Sequence, residues 1–178
     1  MAGSLIKIAE TEVTSSTASV TLTGIDSTYD VYVVTVRDHQ GVNDTYSRLR
    51  VTESGTAKST STYDFAHKYL KSDTTFADNT SQNNNAYDFT STVENDTSRG
   101  GANAVIWLYN FHVSGQHKFI NSVEVHNQGG TTDIRGLQGA GEYYDPDSAT
   151  SVQDGINIFM NSGNIASGKY ALYGLKKS

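Results

Sequence analysis

Three of the five histidines lie close together in the sequence and are candidate metal ligands. His112 and His117 flank the dipeptide Ser114–Gly115, which reads as a two-residue hairpin turn, and His126 follows in the next strand. Across such a hairpin, His112 and His117 would lie opposite each other. A structural metal site needs three or four ligands in a fixed geometry, however. The spacing therefore favours exposed cross-strand polar pairs, and the sequence predicts no metal and no cofactor.

Acidic side chains near the C-terminal end are candidate ligands for Ca²⁺ and candidate catalysts of glycoside hydrolysis. They are Glu142, Asp145, Asp147 and Asp154. Their spacing lacks the alternate-residue ligands and the bidentate glutamate of a calcium loop, so we interpret them as solvated acids around a turn at Pro146. Hydrolysis by paired carboxylates depends on the distance between the two carboxyl groups, and a sequence does not set that distance.

The sequence contains none of the short motifs that mark common catalytic sites. Gly-x-Ser-x-Gly, a phosphate-binding glycine loop and His-Glu-x-x-His are all absent. We therefore predict a protein that is not an enzyme.

Aromatic residues offer a different function, which is binding of a sugar through a ring face. Tyr143 and Tyr144 adjoin the acidic turn and are the candidate binding residues, because a surface tyrosine pair can stack on a pyranose ring. Trp107 lies within the apolar run Val105–Tyr109, which predicts a place in the core instead.

Composition limits the class of protein and its partners. The chain has 178 residues, a net charge of −6, one proline and no cysteine. Phosphate binding needs clustered Lys or Arg, so we predict no nucleic-acid partner. No apolar run approaches the roughly 20 residues that span a membrane, and residues 1–7 lack the apolar core of a signal peptide. We expect synthesis in a cytoplasm and one domain over 1–178.

Alternating apolar residues predict an all-β fold. The predicted strands, at the spacing of a β-sandwich, cover residues 4–9, 18–23, 29–37, 46–53, 87–92, 104–113, 117–126, 131–144, 151–160 and 169–175. Gly136, Gly139 and Gly141 suggest bulges in the strand region 131–144. We predict a single antiparallel β-sandwich, jelly-roll-like, with little helix.

The middle of the chain, residues 54–86, does not follow this pattern. Residues 62–71 permit either strand alternation or a short helix, and both interpretations stay open. Residues 78–86 are polar and turn-prone, which predicts an exposed loop.

Two segments resemble a known family. The C-terminal "SGNIASGKYALYGLKKS" and the stretch Thr23–Tyr32, which ends in "YDVY", resemble virion proteins of short tailed bacteriophages of the marine and cyanobacterial type. In that family the C-terminal segment forms a hairpin that closes a β-sandwich, so the resemblance implies a structural hairpin here.

The resemblance implies a non-enzymatic virion structural protein, displayed on the particle as a capsid decoration protein or as a fibre or tail adhesin module. Its expected partners are other virion proteins, copies of itself in a homotrimer, and a host surface glycan. The alternative is a carbohydrate-binding β-sandwich module without a virion role. A weaker third option is a polysaccharide-degrading domain.

Overall fold

The computed structural model describes residues 4–73, 76–145 and 151–176. These residues form thirteen strands and one short 3₁₀ helix, Thr97–Arg99, and no α-helix. No helix among them is long and apolar enough to cross a membrane. The strands are β1 (Leu5–Val13), β2 (Ser19–Thr23), β3 (Val31–Gly41), β4 (Ser47–Glu53), β5 (Thr56–Ala57), β6 (Tyr63–Lys71), β7 (Ala77–Asn84), β8 (Tyr87–Asp88), β9 (Ala102–Tyr109), β10 (Lys118–Asn127), β11 (Ile134–Tyr143), β12 (Gly155–Met160) and β13 (Ile165–Leu175).

The strands form two antiparallel sheets of unequal size. The large sheet has the order β1-β13-β3-β9-β10-β11-β6-β7, and the small sheet has the order β2-β12-β4-β5 with β8 also paired to β4. The inner faces of both sheets supply one cluster of buried side chains, including Val34 and Ile106 from the large sheet and Leu49 and Ile158 from the small one. The predicted all-β antiparallel sandwich is therefore confirmed. With eight and five strands, it is larger than the eight strands of a simple jelly roll.

The middle of the chain folds as strands rather than as loop or helix. Residues 63–71 form β6, which settles the choice between strand and helix in favour of the strand. The prediction of a loop at residues 78–86 is wrong for most of its length, because β7 pairs with β6 and forms one edge of the large sheet. Polar side chains alternate between exposed and half-buried positions along β7, and an edge strand of this kind needs no apolar pattern.

The glycines of β11 serve packing, and the predicted bulges are absent. The registers of β11 with β10 and β6 run without a shift from Arg135 to Tyr143. A Cβ atom on Gly141 would lie 2.6 Å from ring atoms of Tyr87, and one on Gly139 would lie 2.6 Å from the Tyr87 hydroxyl. Both glycines therefore let the buried Tyr87 ring lie directly against the sheet.

The C-terminal strand lies inside the large sheet. β13 pairs with β1 on one side and with β3 on the other. The preceding strand, β12, belongs to the small sheet, so residues 161–164 connect the two sheets and the hairpin implied by the resemblance is not formed. A strand with two partners is nevertheless the structural element that the sequence led us to expect.

Candidate binding surface on the outer face of the large sheet

The large sheet has an inner face that packs on the small sheet and an outer face that no other element covers in the described part of the chain. Neighbouring strands β3, β9 and β10 place apolar side chains opposite one another on this outer face, as in the pairs Val31–Tyr109 and Tyr109–Phe119. Phe119, Val123 and Val125 are 47–48% exposed. We call this set the apolar patch; it consists of Val31, Val105, Trp107, Tyr109, Phe119, Val123 and Val125.

Trp107 belongs to the apolar patch, and its predicted place in the core is wrong. The buried side chains of β9 are Ala102, Ala104, Ile106 and Leu108, whereas Trp107 is only partly buried. Both faces of β9 are apolar, so the alternation of the sequence shows the strand but not which face lies inside.

A groove crosses the outer face beside the apolar patch, over β11, β6 and β7. It consists of two adjoining depressions of about 650 and 430 Å³, both lined by Ala66, Thr80 and Ala140. Strand pairing places these residues in one row, with Asn121 at the β10 end. The two alanines form a low floor because their neighbours on the same face carry longer side chains.

Polar side chains border the groove on both sides. Asp64 and Glu142 are register partners on one side, and Lys68 and Gln138 are register partners on the other. The Nζ of Lys68 lies 2.7 Å from a carboxylate oxygen of Asp78, so its charge is compensated. Asp64 and Glu142 have no Lys or Arg partner among the described residues, so the side of the groove that they form is acidic.

An aromatic stack adjoins the Phe119 end of the groove. The rings of Tyr144 and His117 are parallel within 10° at a centroid distance of 4.2 Å, and Phe119 continues the stack at 6.2 Å from His117. His117 Nδ1 lies 2.6 Å from an oxygen of Glu142. The contact between His117 and Glu142 thus connects the aromatic stack to the acidic side of the groove.

The two tyrosines predicted to bind a sugar occupy different environments. Tyr144 is half-buried at the surface, where it stacks on His117. Tyr143 is 2% exposed, packs 4.8 Å from the ring of Tyr63 and donates a hydrogen bond of 3.3 Å to Asp145. Burial raises the pKa of Tyr143 to about 12. Tyr143 is therefore a core residue with no free ring face, and Tyr144 alone remains a candidate.

The three histidines considered as metal ligands are not brought together. The loop between β9 and β10 covers residues 110–117, so His112 and His117 lie in a long loop instead of opposite each other across a two-residue turn. His126 lies at the far end of β10. Within the described residues there is no group of three or more His, Cys, Asp or Glu side chains able to hold a metal ion.

The acidic residues near the C-terminal end are also dispersed. Glu142 borders the groove, and Asp145 is 7% exposed. The carboxylate of Asp154 accepts hydrogen bonds from the Thr52 hydroxyl and the Gly55 backbone N–H, which fixes a turn of the small sheet. Asp147 lies outside the described residues.

A carboxylate, an imidazole and a hydroxyl form a line that the sequence analysis missed. Glu124 Oε2 lies 2.7 Å from His126 Nδ1, and His126 Nε2 lies 2.9 Å from Ser91 Oγ. This order matches that of a serine hydrolase triad. The side chains of Glu124 and His126 have no solvent-exposed surface, however, and Ser91 also contacts Gln128. The arrangement therefore fastens the segment carrying Ser91 to β10. In the sequence, the only sign of this line of groups is that Glu124 and His126 are two positions apart on one strand, which places them on the same face.

Comparison with protein-family models finds no match for this chain, and neither does comparison with curated proteins.

Proposed function

We propose that this chain is a non-enzymatic structural protein of a bacteriophage particle, displayed on its surface as a capsid decoration protein or as a fibre or tail adhesin module. The observation that carries the proposal is the apolar patch. Monomeric proteins seldom expose a contiguous apolar area of this kind unless it contacts another molecule. In this proposal the patch is the surface through which copies of the chain associate.

A second copy is the occupant that fits the chemistry of the patch. The outer positions of β9 and β10 carry apolar or amide side chains from Asn103 to Val125 and no charged group. A charged partner surface would leave its charges without compensation there. An apolar surface is complementary to itself, and homo-oligomers are the commonest assemblies of soluble proteins. The proposed number of subunits remains three, as the resemblance implies.

The particle and its phage origin are supported by the two segments that resemble virion proteins. These segments lie far apart in the sequence but meet in the large sheet, where Gly174 of β13 pairs with Tyr32, the last residue of the first segment and the second of β3. The resemblance thus covers one continuous part of the fold. Localisation in the virion follows from this proposal.

The absence of catalysis is supported by the placement of the acidic groups beside the groove. Glu142 contacts His117, and Asp64 accepts a hydrogen bond of 2.7 Å from the backbone N–H of Asn83. Hydrolysis of a glycoside needs two carboxyl groups that flank the scissile bond. Asp64 and Glu142 are register partners on the same side of the floor, so the geometry favours binding over cleavage.

The molar mass in solution tests the association. Light scattering on the wild-type protein should give three times the chain mass of 19.3 kDa. Val125→Asp places a charge in the patch and should give the mass of one chain. Val42→Asp is the matched control, because Val42 is also a valine, is 42% exposed and lies in the loop after β3, outside the patch. A monomeric wild type, or an equal response of both variants, would refute association through the patch.

The particle itself tests the virion role. Mass spectrometry of purified particles from the source phage should detect this chain in stoichiometric amount, and cryo-electron microscopy should show its density on the surface. Particles that lack the chain would refute the role.

A further inference from the structure

We infer that the groove over β11, β6 and β7 binds a neutral oligosaccharide. This inference concerns residues that the proposed association does not use, with the exception of Phe119, which belongs to both surfaces. It also holds or fails separately from the virion role.

The shape of the groove is the first argument. The row Asn121, Ala140, Ala66 and Thr80 crosses four strands, which corresponds to a length of roughly 14 Å. Two depressions of about 650 and 430 Å³ lie along this row, and volumes of this size are typical of sites for small ligands. An extended chain of a few sugar rings fits such a trough, whereas a folded protein partner would contact its rims and leave the floor empty.

The hydrogen-bonding groups on the sides of the groove are the second argument. Asp64 and Glu142 are acceptors, and Gln82 and Gln138 each present both a donor and an acceptor. Sugar hydroxyls are donors and acceptors at once, so these groups match them in type. The match is poor for an apolar ligand, which would remove water from these polar groups without offering new hydrogen bonds.

The aromatic end of the groove is the third argument. Phe119 is 47% exposed and lies next to the stack of His117 and Tyr144. An exposed ring face beside polar groups offers the apolar side of a sugar ring a surface to pack on. Tyr144, which the sequence suggested as a binding residue, therefore supports the site through His117.

Charge decides between neutral and anionic ligands. Asp64 and Glu142 lie on the same side of the floor, and the nearby Lys68 is paired with Asp78 at 2.7 Å. A phosphate, sulfate or uronate group entering the groove would meet two carboxylates without a free cation to offset them. Nucleic acids and acidic polysaccharides are therefore disfavoured, and a neutral oligosaccharide is the ligand class that remains.

Binding is tested with the full chain on an array of neutral and anionic oligosaccharides, followed by titration calorimetry on the best neutral ligand. Ala140→Trp fills the floor at an exposed position and should abolish binding. Leu70→Trp is the matched control, since it adds the same ring on the same face outside the groove, and should bind like the wild type. Phe119→Ala and Asp64→Asn should each weaken binding by about tenfold.

The outcomes separate the groove from the patch. Val125→Asp should lower the molar mass while leaving the intrinsic affinity for the oligosaccharide unchanged. Ala140→Trp should abolish binding of the oligosaccharide while leaving the molar mass unchanged. Binding of no neutral oligosaccharide would overturn the inference. So would a preference for anionic glycans, or binding that Ala140→Trp leaves intact.

Discussion

His67 should make the protein less stable in mild acid, and its replacement should remove part of that loss. The side chain lies on the inner face of β6, is 4% exposed and stacks on Phe65 at a centroid distance of 4.6 Å. Neither ring nitrogen has a hydrogen-bond partner in the protein. Burial lowers the pKa of His67 from 6.5 to about 4, because the enclosed site disfavours the charged imidazolium.

The magnitude follows from linkage between protonation and folding. Because the folded-state pKa lies below the unfolded one, the unfolded chain binds a proton first as the pH falls below 6.5. The contribution of His67 to the free energy of unfolding is therefore fully present above pH 6.5. It falls between pH 6.5 and 4 and does not change further below that range. The full loss is about 3.4 kcal/mol at 1.36 kcal/mol per pKa unit, and about 2 kcal/mol of it is reached at pH 5.

Urea denaturation at pH 7 and pH 5 measures this effect. His67→Phe removes the titrating group and keeps a ring on Phe65, so the difference between the two pH values should shrink by about 2 kcal/mol relative to the wild type. The substitution also removes the two ring nitrogens of His67, which have no hydrogen-bond partner in the protein. Ile156→Val is the control, because it should lower stability by about 1 kcal/mol equally at both pH values. An unchanged pH dependence in His67→Phe would refute the reasoning, and His67→Leu repeats the test if phenylalanine does not fit.

Two further predictions concern packing in the large sheet. Gly141→Ala should cost about 1–3 kcal/mol in urea denaturation, because its Cβ would lie 2.6 Å from the ring of Tyr87, whereas Gly136→Ala on the same strand, with its nearest atoms at 3.5 Å, should cost much less. Equal effects would show that the Tyr87 ring moves freely. Deleting residues 168–178 should give an insoluble protein or a large fall in Tm, because β1 would lose the strand that joins it to the large sheet and β3 would lose one of its two neighbours. A soluble product with the Tm of the full chain would contradict the structural role of β13.

The periodicity of the sequence predicted strands wherever one face is apolar and the other polar. β2 shows this, since the buried Val20 and Leu22 alternate with the exposed Thr21 and Thr23. The same rule missed β7, whose eight residues are almost all polar. An edge strand has one hydrogen-bonded neighbour, and β7 takes its register from β6 without burying a row of apolar side chains.

The candidate sites depended on information that periodicity does not contain. The groove exists because Ala66, Ala140 and Thr80 come from three strands and meet through strand register. The apolar patch exists because β9 turns Trp107 outward and the smaller Ala104, Ile106 and Leu108 inward. Alternation marks two faces of a strand, and the choice between them depends on which face fits the opposing sheet.

The buried tyrosines show why the evidence for association lies in the patch and not in the number of tyrosines. Five of the eleven tyrosines are almost completely buried, and their hydroxyl groups contact partners that hold the fold together. Tyr32 donates to the backbone oxygen of Asp26, Tyr63 donates to that of Lys58, and the hydroxyl of Tyr170 lies 2.6 Å from the buried His39. A buried hydroxyl needs such a partner, so these residues fix loops and strands and are not available to an interface. Nearly half of the tyrosines therefore serve internal structure, and the case for association depends on the outward valines, Trp107, Tyr109 and Phe119.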